Sequence, residues 1–424
     1  MICLTDRSHP DELGTPVPPL VSGRWPVESR TSKFPSGIQQ KELSMIRVAL
    51  MGLGKMGLSH CAIINTHPDV ELVAVCDTSD YLLSVLGRHT RLKTYRDCHR
   101  MLQSETLDAV VIATPSRLHA NMVRDALMAG LHVFCEKPFC LDAEEGLQLA
   151  ELAEQRKRVN QVGYHHRFIA TFHEAKRLLE FNVLGKLHHI RAEAHGPVVL
   201  KPKGITWRTH KQEGGGCLYD YASHAIDLVN YLVGRPHSVG GTIMNRLYSG
   251  DVEDEVYANF FYENGMTGQI AANWSDESER KMFTKVTIWG ANGKISADRQ
   301  DLHVYVRDDS LVPEGVNRGW NARYTTDLTD PVWFYLRGEE YSAQLNHFIE
   351  AIKSGRCDTR STFRSAVETD MVVSALARDN EAIRTETDLG HAPAEEPQGE
   401  TGLWSAVLRP KQRDASSRSN GAYL

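Results

Sequence analysis

Asp220 and His224 stand four residues apart, directly behind the triple glycine Gly214-Gly215-Gly216. On a helix, positions i and i+4 share a face, so the carboxylate is expected to orient the imidazole and raise its basicity. Such a pair can move a proton. Asp227 continues the same face, and one imidazole with two carboxylates is also a set that holds a divalent ion. No second constellation supports a metal, and none is expected. Upstream, Glu136-Lys137-Pro138 closes an apolar run with Val133 and Phe134. An isolated lysine is usually a solvated surface charge. One at a strand end beside proline is expected to be partly desolvated, with a lowered pKa suited to proton transfer.

A partner for that proton chemistry is indicated further upstream. Gly52-Leu53-Gly54-Lys55-Met56-Gly57 follows Val48, Ala49 and Leu50 and precedes a helical stretch, the context that G-x-G-x-x-G requires. Glycines permit the tight turn and close backbone approach, and the helix N-terminus offers N–H groups and partial positive charge to a pyrophosphate. Asp77 ends the next apolar run about 20 residues on, where a carboxylate binds ribose hydroxyls and repels a 2′-phosphate. NAD is therefore the expected cofactor, and NADP stays possible through Thr78, Ser79 and Arg88 or Arg91. Ala113-Thr114-Pro115 also ends a strand-like run, so Thr114, Pro115, Glu136 and Lys137 are expected to face the cofactor cleft.

These residues need elements to hold them. From Ile46 to about Gly163, short apolar runs alternate with amphipathic stretches, which predicts a doubly wound parallel sheet of the Rossmann type. Its strands are expected over residues 46–51, 71–76, 109–113, 132–135 and 160–162. After Phe168 a helix to about Phe181 is followed by a strand near residues 186–194, the glycine-rich loop and the helix of Asp220 and His224. Strand-like runs then occupy residues 238–244, 255–262, 266–274, 283–289 and 293–297. Turns such as Glu263-Asn264-Gly265 and Ala291-Asn292-Gly293 predict an antiparallel meander. Helices near residues 337–354 and 360–377 are expected to close this second domain. The predicted architecture is α/β: a cofactor domain over residues 45–165, then an α+β domain over 166–384 with an open, largely antiparallel sheet. Residues 1–44, rich in proline, read as a disordered leader, with Met45 a second candidate start of translation. Residues 385–424 read as a flexible tail.

Composition narrows the function classes. A chain of 424 residues with 41% hydrophobic and 24% charged residues suits a soluble protein of two domains. No apolar run approaches the roughly 18 residues of a membrane span. A net charge of -6 argues against general attraction to nucleic acid or anionic membrane. The eight cysteines include no CxxC pair, the pattern of reduced cytoplasmic thiols and not of a disulfide framework or zinc site. Ahead of the triple glycine, the cation-rich stretch from Lys201 to Lys211 contains Trp207 and Arg208. It is read either as a substrate-binding loop, able to stack a sugar or base and grip a phosphate, or as a solvated or subunit-facing loop.

Taken in order, the glycine fingerprint, Asp77, Ala113-Thr114-Pro115 with His119, Glu136-Lys137-Pro138, the segment Gly163-Tyr164-His165-His166-Arg167-Phe168 and the helix of Asp220 and His224 resemble the Gfo/Idh/MocA oxidoreductases. The resemblance runs from about Ile46 to Ala377. It implies that Lys137, Asp220 and His224 form the catalytic group. It implies cofactor contacts from Gly52, Gly54, Lys55, Met56, Gly57, Asp77, Thr114, Pro115, His119, Glu136 and Lys137. His165 and Arg167 would join Trp207 and Arg208 on the substrate side. The chain departs from the family at His165 and His166, where members often carry asparagine and arginine. The implied activity is NAD-dependent hydride transfer from a sugar, polyol or nucleotide-sugar carbinol, by a cytoplasmic homodimer or homotetramer. A non-catalytic sensor of nucleotide or sugar, and a lyase or glycosidase using bound NAD transiently, are the alternatives.

Overall fold

Ile46-Arg47-Val48-Ala49-Leu50-Met51 is almost wholly buried, as a strand covered on both faces must be. This strand, β1 (Ile46–Met51), centres a six-stranded parallel sheet with β2 (Val70–Cys76), β3 (Lys93–Tyr95), β4 (Ala109–Ile112), β5 (His132–Cys135) and β6 (Asn160–Val162). The order is β3-β2-β1-β4-β5-β6, so the direction of winding reverses between β1 and β4. Ligands of such sheets bind at this switch point, beyond the carboxyl ends of the strands. The computed structural model describes residues 45–200, 207–310 and 312–387 of the chain.

Helices α1 (Lys55–Asn65), α2 (Asp80–His89), α3 (Cys98–Ser104), α4 (His119–Met128) and α5 (Ala143–Gln155) connect these strands. The short β3 was not expected from sequence. Its three residues are too few to show a period, and its place comes from pairing with β2 and from Lys93 and Tyr95 bonding Glu105.

The second sheet has eight strands: β7 (Leu187–His195), β8 (Ser238–Asn245), β9 (Glu255–Phe261), β10 (Thr267–Asn273), β11 (Phe283–Gly290), β12 (Gly293–Asp298), β13 (Asp301–Val306) and β14 (Gly319–Tyr324). Their order is β14-β13-β12-β11-β7-β10-β9-β8, antiparallel throughout except for β7 beside β10. Burial alternates along them. One face packs on α6 (Ala170–Glu180) and α7 (Ser223–Val233) around Ile190, Ala192, Ile270 and Val286. The other face carries Trp289, Tyr305, Trp320 and Phe261. The strands β13 and β14 extend the meander past residue 297, its expected end.

After the short α8 (Thr325–Leu328), helix α9 (Glu339–Ser354) does not stay with the second sheet as expected, while helix α10 (Phe363–Thr387) serves both sheets: its Val372, Val373 and Leu376 join the core of the second, and its Asp379 and Asn380 accept from the Thr242 and Met244 N–H groups of β8. Tyr341, Leu345 and Phe348 share a core with Leu53, Ile63 and Phe134, and Phe363, Ala366 and Val367 share one with Met51, Val133 and Phe139. Phe139 and Phe363 stack with centroids 4.2 Å apart. The chain thus returns to cover the first sheet, because that sheet needs apolar cover on both faces. Helix α10 runs through Thr387, three positions beyond the expected end of the domain; the predicted leader and the rest of the tail lie outside the described residues.

Candidate active site

At the carboxyl end of β1 the glycine turn is shaped by close backbone approach. Gly52 has φ +93°, and a Cβ there would lie 2.7 Å from the Ala113 carbonyl; one on Gly57 would run into the Gly52 carbonyl oxygen. A Cβ on Gly54 would meet nothing within 4 Å. Gly54 gives α1 no side-chain cap, and the first turn holds no acid. Open space against a helix N-terminus is what a pyrophosphate requires, so these residues fit a dinucleotide. Asp77 follows β2 and accepts from the backbone N–H groups of Leu53, at 2.5 Å, and Ser79, at 2.8 Å. Its carboxylate is fixed beside the turn.

Two expected cofactor contacts also make hydrogen bonds inside the protein. His119 sits 1% exposed with Nδ1 2.9 Å from the Pro138 carbonyl and Nε2 3.0 Å from that of Thr114. It staples the ends of β4 and β5 together, and burial lowers its pKa. Glu136 is buried, and its Oε1 lies 2.6 Å from Nε2 of His60 on α1. Burial alone would raise this carboxyl, but the His60 hydrogen bond and nearby Lys137 outweigh it and hold the pKa down. Gly163 must lack a side chain, because a Cβ there would come within 2.9 Å of the Glu136 carboxyl group. His60 was missed in the sequence. It belongs to no motif and meets Glu136 only in the folded sheet.

Next to Glu136, Lys137 reaches across to the second half of the molecule. Its Nζ donates to the Asp220 carbonyl at 2.9 Å and to Asp220 Oδ1 at 3.2 Å. Arg208 Nε donates to Asp220 Oδ2 at 2.7 Å. Burial pushes the Asp220 carboxyl up, yet Lys137 and Arg208 prevail and lower its pKa. The triple glycine makes this grip possible. A Cβ on Gly215 would clash with the Arg208 backbone and one on Gly216 with the Glu253 carboxylate. Gly216 N donates to the Arg208 carbonyl at 3.0 Å.

The expected hydrogen bond from Asp220 to His224 is not formed. Residues Leu218–Ala222 make a π-helical turn before α7, and the Asp220 carboxylate turns to two cations because a buried anion needs that compensation. His224 is 3% exposed, and its Nδ1 is buried without a hydrogen-bond partner. Its ring lies among other rings: His165 at 4.8 Å, His166 at 4.6 Å and Tyr164 at 6.0 Å between centroids. Burial, then Lys137 and the two neighbouring histidines, drive its pKa well below the usual value. His165 is lowered likewise and His166 is brought to about 3, each chiefly by burial. All three imidazoles are neutral near pH 7. Tyr341, from α9, stacks on His165 with centroids 4.7 Å apart.

Arg167 and Arg208, expected on the substrate side, each hold a buried carboxylate. Arg208 serves Asp220. Arg167 is 3% exposed and grips Asp227 with two bonds, Nε to Oδ2 at 2.9 Å and Nη2 to Oδ1 at 2.6 Å. Its Nη1 donates to the Arg360 carbonyl and Ser365. The ion pair removes Asp227 from any metal set with Asp220 and His224. Among the described residues no group of three or more His, Cys, Asp or Glu is arranged to hold a metal, and no helix is long and apolar enough to cross a membrane. The side chain of Trp207 lies outside the described residues.

Comparison with known proteins agrees with this layout. Residues 46–164 match an oxidoreductase family with an NAD-binding Rossmann fold, GFO_IDH_MocA, and residues 172–296 match its C-terminal domain. The D-glucoside 3-dehydrogenase of Escherichia coli is 31% identical over 281 residues, 62% of this chain and 79% of that protein. The myo-inositol 2-dehydrogenase of Thermotoga maritima is 25% identical over 322 residues, 73% of this chain and 89% of that one. Among solved structures, GenD2 from gentamicin A biosynthesis in complex with NAD has a TM-score of 0.66 at 26% identity, covering 80% of this chain and 95% of its own. Levoglucosan dehydrogenase in complex with NADH and L-sorbose shares the fold, with a TM-score of 0.70 at 23% identity over 80% of this chain and 97% of that one.

Proposed function

The chain belongs to the Gfo/Idh/MocA oxidoreductase family, and from that premise we propose that it is an NAD-dependent dehydrogenase oxidising a carbinol of a sugar, polyol or nucleotide sugar. The observation that carries the reading is the meeting of Lys137 with Asp220 at 3.2 Å, which sets an ammonium from the cofactor domain beside the helix of His224. Gly52, Gly54, Gly57 and Asp77 would hold the dinucleotide, the glycines through the pyrophosphate and Asp77 through the ribose. NAD, when bound, supplies the hydride acceptor.

The remaining work falls to this chain's side chains. His224 is neutral near pH 7 and takes the hydroxyl proton of the carbinol. Lys137 donates to the carbinol oxygen and steadies the charge that grows there as the proton leaves. Asp220 holds the ammonium in place through a charge-assisted bond, with Arg208 sharing the carboxylate. In the reverse direction His224 is the acid. His165 lies against His224 and is the residue expected to border the substrate.

The test is a panel of sugars, inositols and nucleotide sugars followed at the NADH absorbance, with NADP in parallel. Net NADH from at least one carbinol, with NAD preferred, is expected. Tight NAD binding without net NADH from any of them would favour the sensor or the transient-oxidation alternative. Self-association through the uncovered face of the second sheet, to a dimer or tetramer, belongs to the same proposal. Trp320, 62% exposed there, supports it. A monomer by sedimentation at micromolar concentration would remove that part. A cytoplasmic location is proposed on the free cysteines Cys61, Cys76, Cys98, Cys135, Cys140, Cys217 and Cys357.

A further inference from the structure

Cys76 is the last residue of β2 and Cys98 the first of α3, and their sulfurs lie 3.2 Å apart. The two thiols are unequal. Cys76 is 2% exposed, whereas Cys98 is half-buried and can be reached from solvent. The pair shares a hydrogen bond that lowers the Cys98 pKa and raises that of Cys76, so Cys98 is the thiol of the two that ionises more readily.

The position of Cys76 links it to the cofactor turn. Its carbonyl accepts from Gly52 N at 2.8 Å, and the next residue is Asp77, whose carboxylate holds Leu53 N. Asp77 N in turn donates to the Tyr95 carbonyl at 3.1 Å, on the strand that leads to Cys98. Closing the sulfurs to a disulfide's roughly 2.05 Å needs about 1 Å of movement. A shift of the Cys76 backbone is passed to Gly52 through the hydrogen bond between them and to Asp77 through the next peptide.

We propose that Cys76 and Cys98 are a reversible modification site, oxidised to a disulfide by small-molecule disulfides of the oxidised glutathione class, and that this oxidation weakens dinucleotide binding. The Cys98 thiolate attacks one sulfur of the small disulfide, forming a mixed disulfide and releasing one small thiolate. Cys76 then loses its proton and attacks the Cys98 sulfur, which breaks the mixed bond and releases the second. Two protein thiols are oxidised, and one small disulfide is reduced to two thiols.

The consequence for NAD rests on the proposed function, but the disulfide itself does not. The full chain carrying Cys357→Ser, which removes an exposed bystander thiol, is equilibrated across a series of reduced to oxidised glutathione ratios. Alkylation with mass mapping reads the pair, and calorimetry reads the NAD Kd. The expected result is a Cys76 to Cys98 disulfide with the NAD Kd raised at least several-fold, both reversed by dithiothreitol and both absent in Cys98→Ser. Cys76 and Cys98 alkylated as thiols across the series would overturn the site; a disulfide with unchanged NAD Kd would overturn its effect. A protein that binds no NAD even when reduced would sink the proposed function, and the throttling with it, while the mass map still decides the pair.

Discussion

The turn at Gly52 to Gly57 and the cluster around Asp220 both lie at the carboxyl edge of the first sheet, yet they are built from opposite materials. The turn is backbone and empty space: glycines where a Cβ would clash, and an open position at Gly54. The cluster is side-chain charge taken out of water, with Asp220 5% exposed between Lys137 and Arg208, and with Arg167 and Asp227 buried behind it. A backbone site tolerates changes in neighbouring side chains but not added volume. A buried charge site tolerates modest changes of volume but not loss of a partner.

That contrast can be broken or sharpened by substitution. The largest effect is expected from His224→Asn, which removes the proposed base while leaving the glycine turn intact: kcat should fall by about 10² to 10⁴-fold with the NAD Kd unchanged. Steady-state kinetics beside calorimetric NAD titration would read it, and a kcat near the parent value takes His224 out of the mechanism. Arg167→Met comes next. It strands Asp227 without its counter-ion, so thermal or denaturant unfolding should show a loss of about 3 to 5 kcal/mol, with little change in KM at a temperature where the variant is folded. A raised KM at unchanged stability would return Arg167 to the substrate side.

At the other region, Gly54→Val fills space that no protein atom uses, so the fold should keep its stability while NAD binding weakens at least tenfold, about 1.4 kcal/mol. Unaltered NAD affinity would move the pyrophosphate elsewhere. The smallest effect is a matter of pH. Burial and Lys137 drive the His224 pKa down, so its base form persists as pH falls below the ordinary histidine value. In the oxidation direction, kcat/KM should therefore hold between pH 7 and 6.5 and decline only at lower pH. An acid limb centred above 6.5 would show that proton transfer uses a different group.

How much was legible in advance follows the same division. Gly52, Gly54, Gly57 and Asp77 could be placed from spacing alone, because a tight turn between a strand and a helix is a local event governed by residues within one β-α-β unit. The spacing of Asp220 and His224 predicted a shared face but not what the carboxylate would bind. That depended on Lys137, 83 positions away, and on Arg208 brought close by the triple glycine. Tyr341 against His165 and His60 under Glu136 left no local signature at all. Arg167, read as a substrate contact from its motif, carried no local sign of its buried ion pair with Asp227, which faces it across the core.

The sequence by itself determined most of the strands, though not β3, β13 or β14, together with the parallel character of the first sheet, the dinucleotide turn and the residue types available for proton transfer. These follow from periodicity, glycine sterics and strand-end position. Only the tertiary structure decided which charges pair, that α9 and α10 return to cover the first sheet, that three imidazoles share one buried pocket, and that Cys76 meets Cys98. Desolvation is the physical reason: once groups distant in sequence are withdrawn from water together, each must find a partner or lose its charge, and which partner it finds is set by packing.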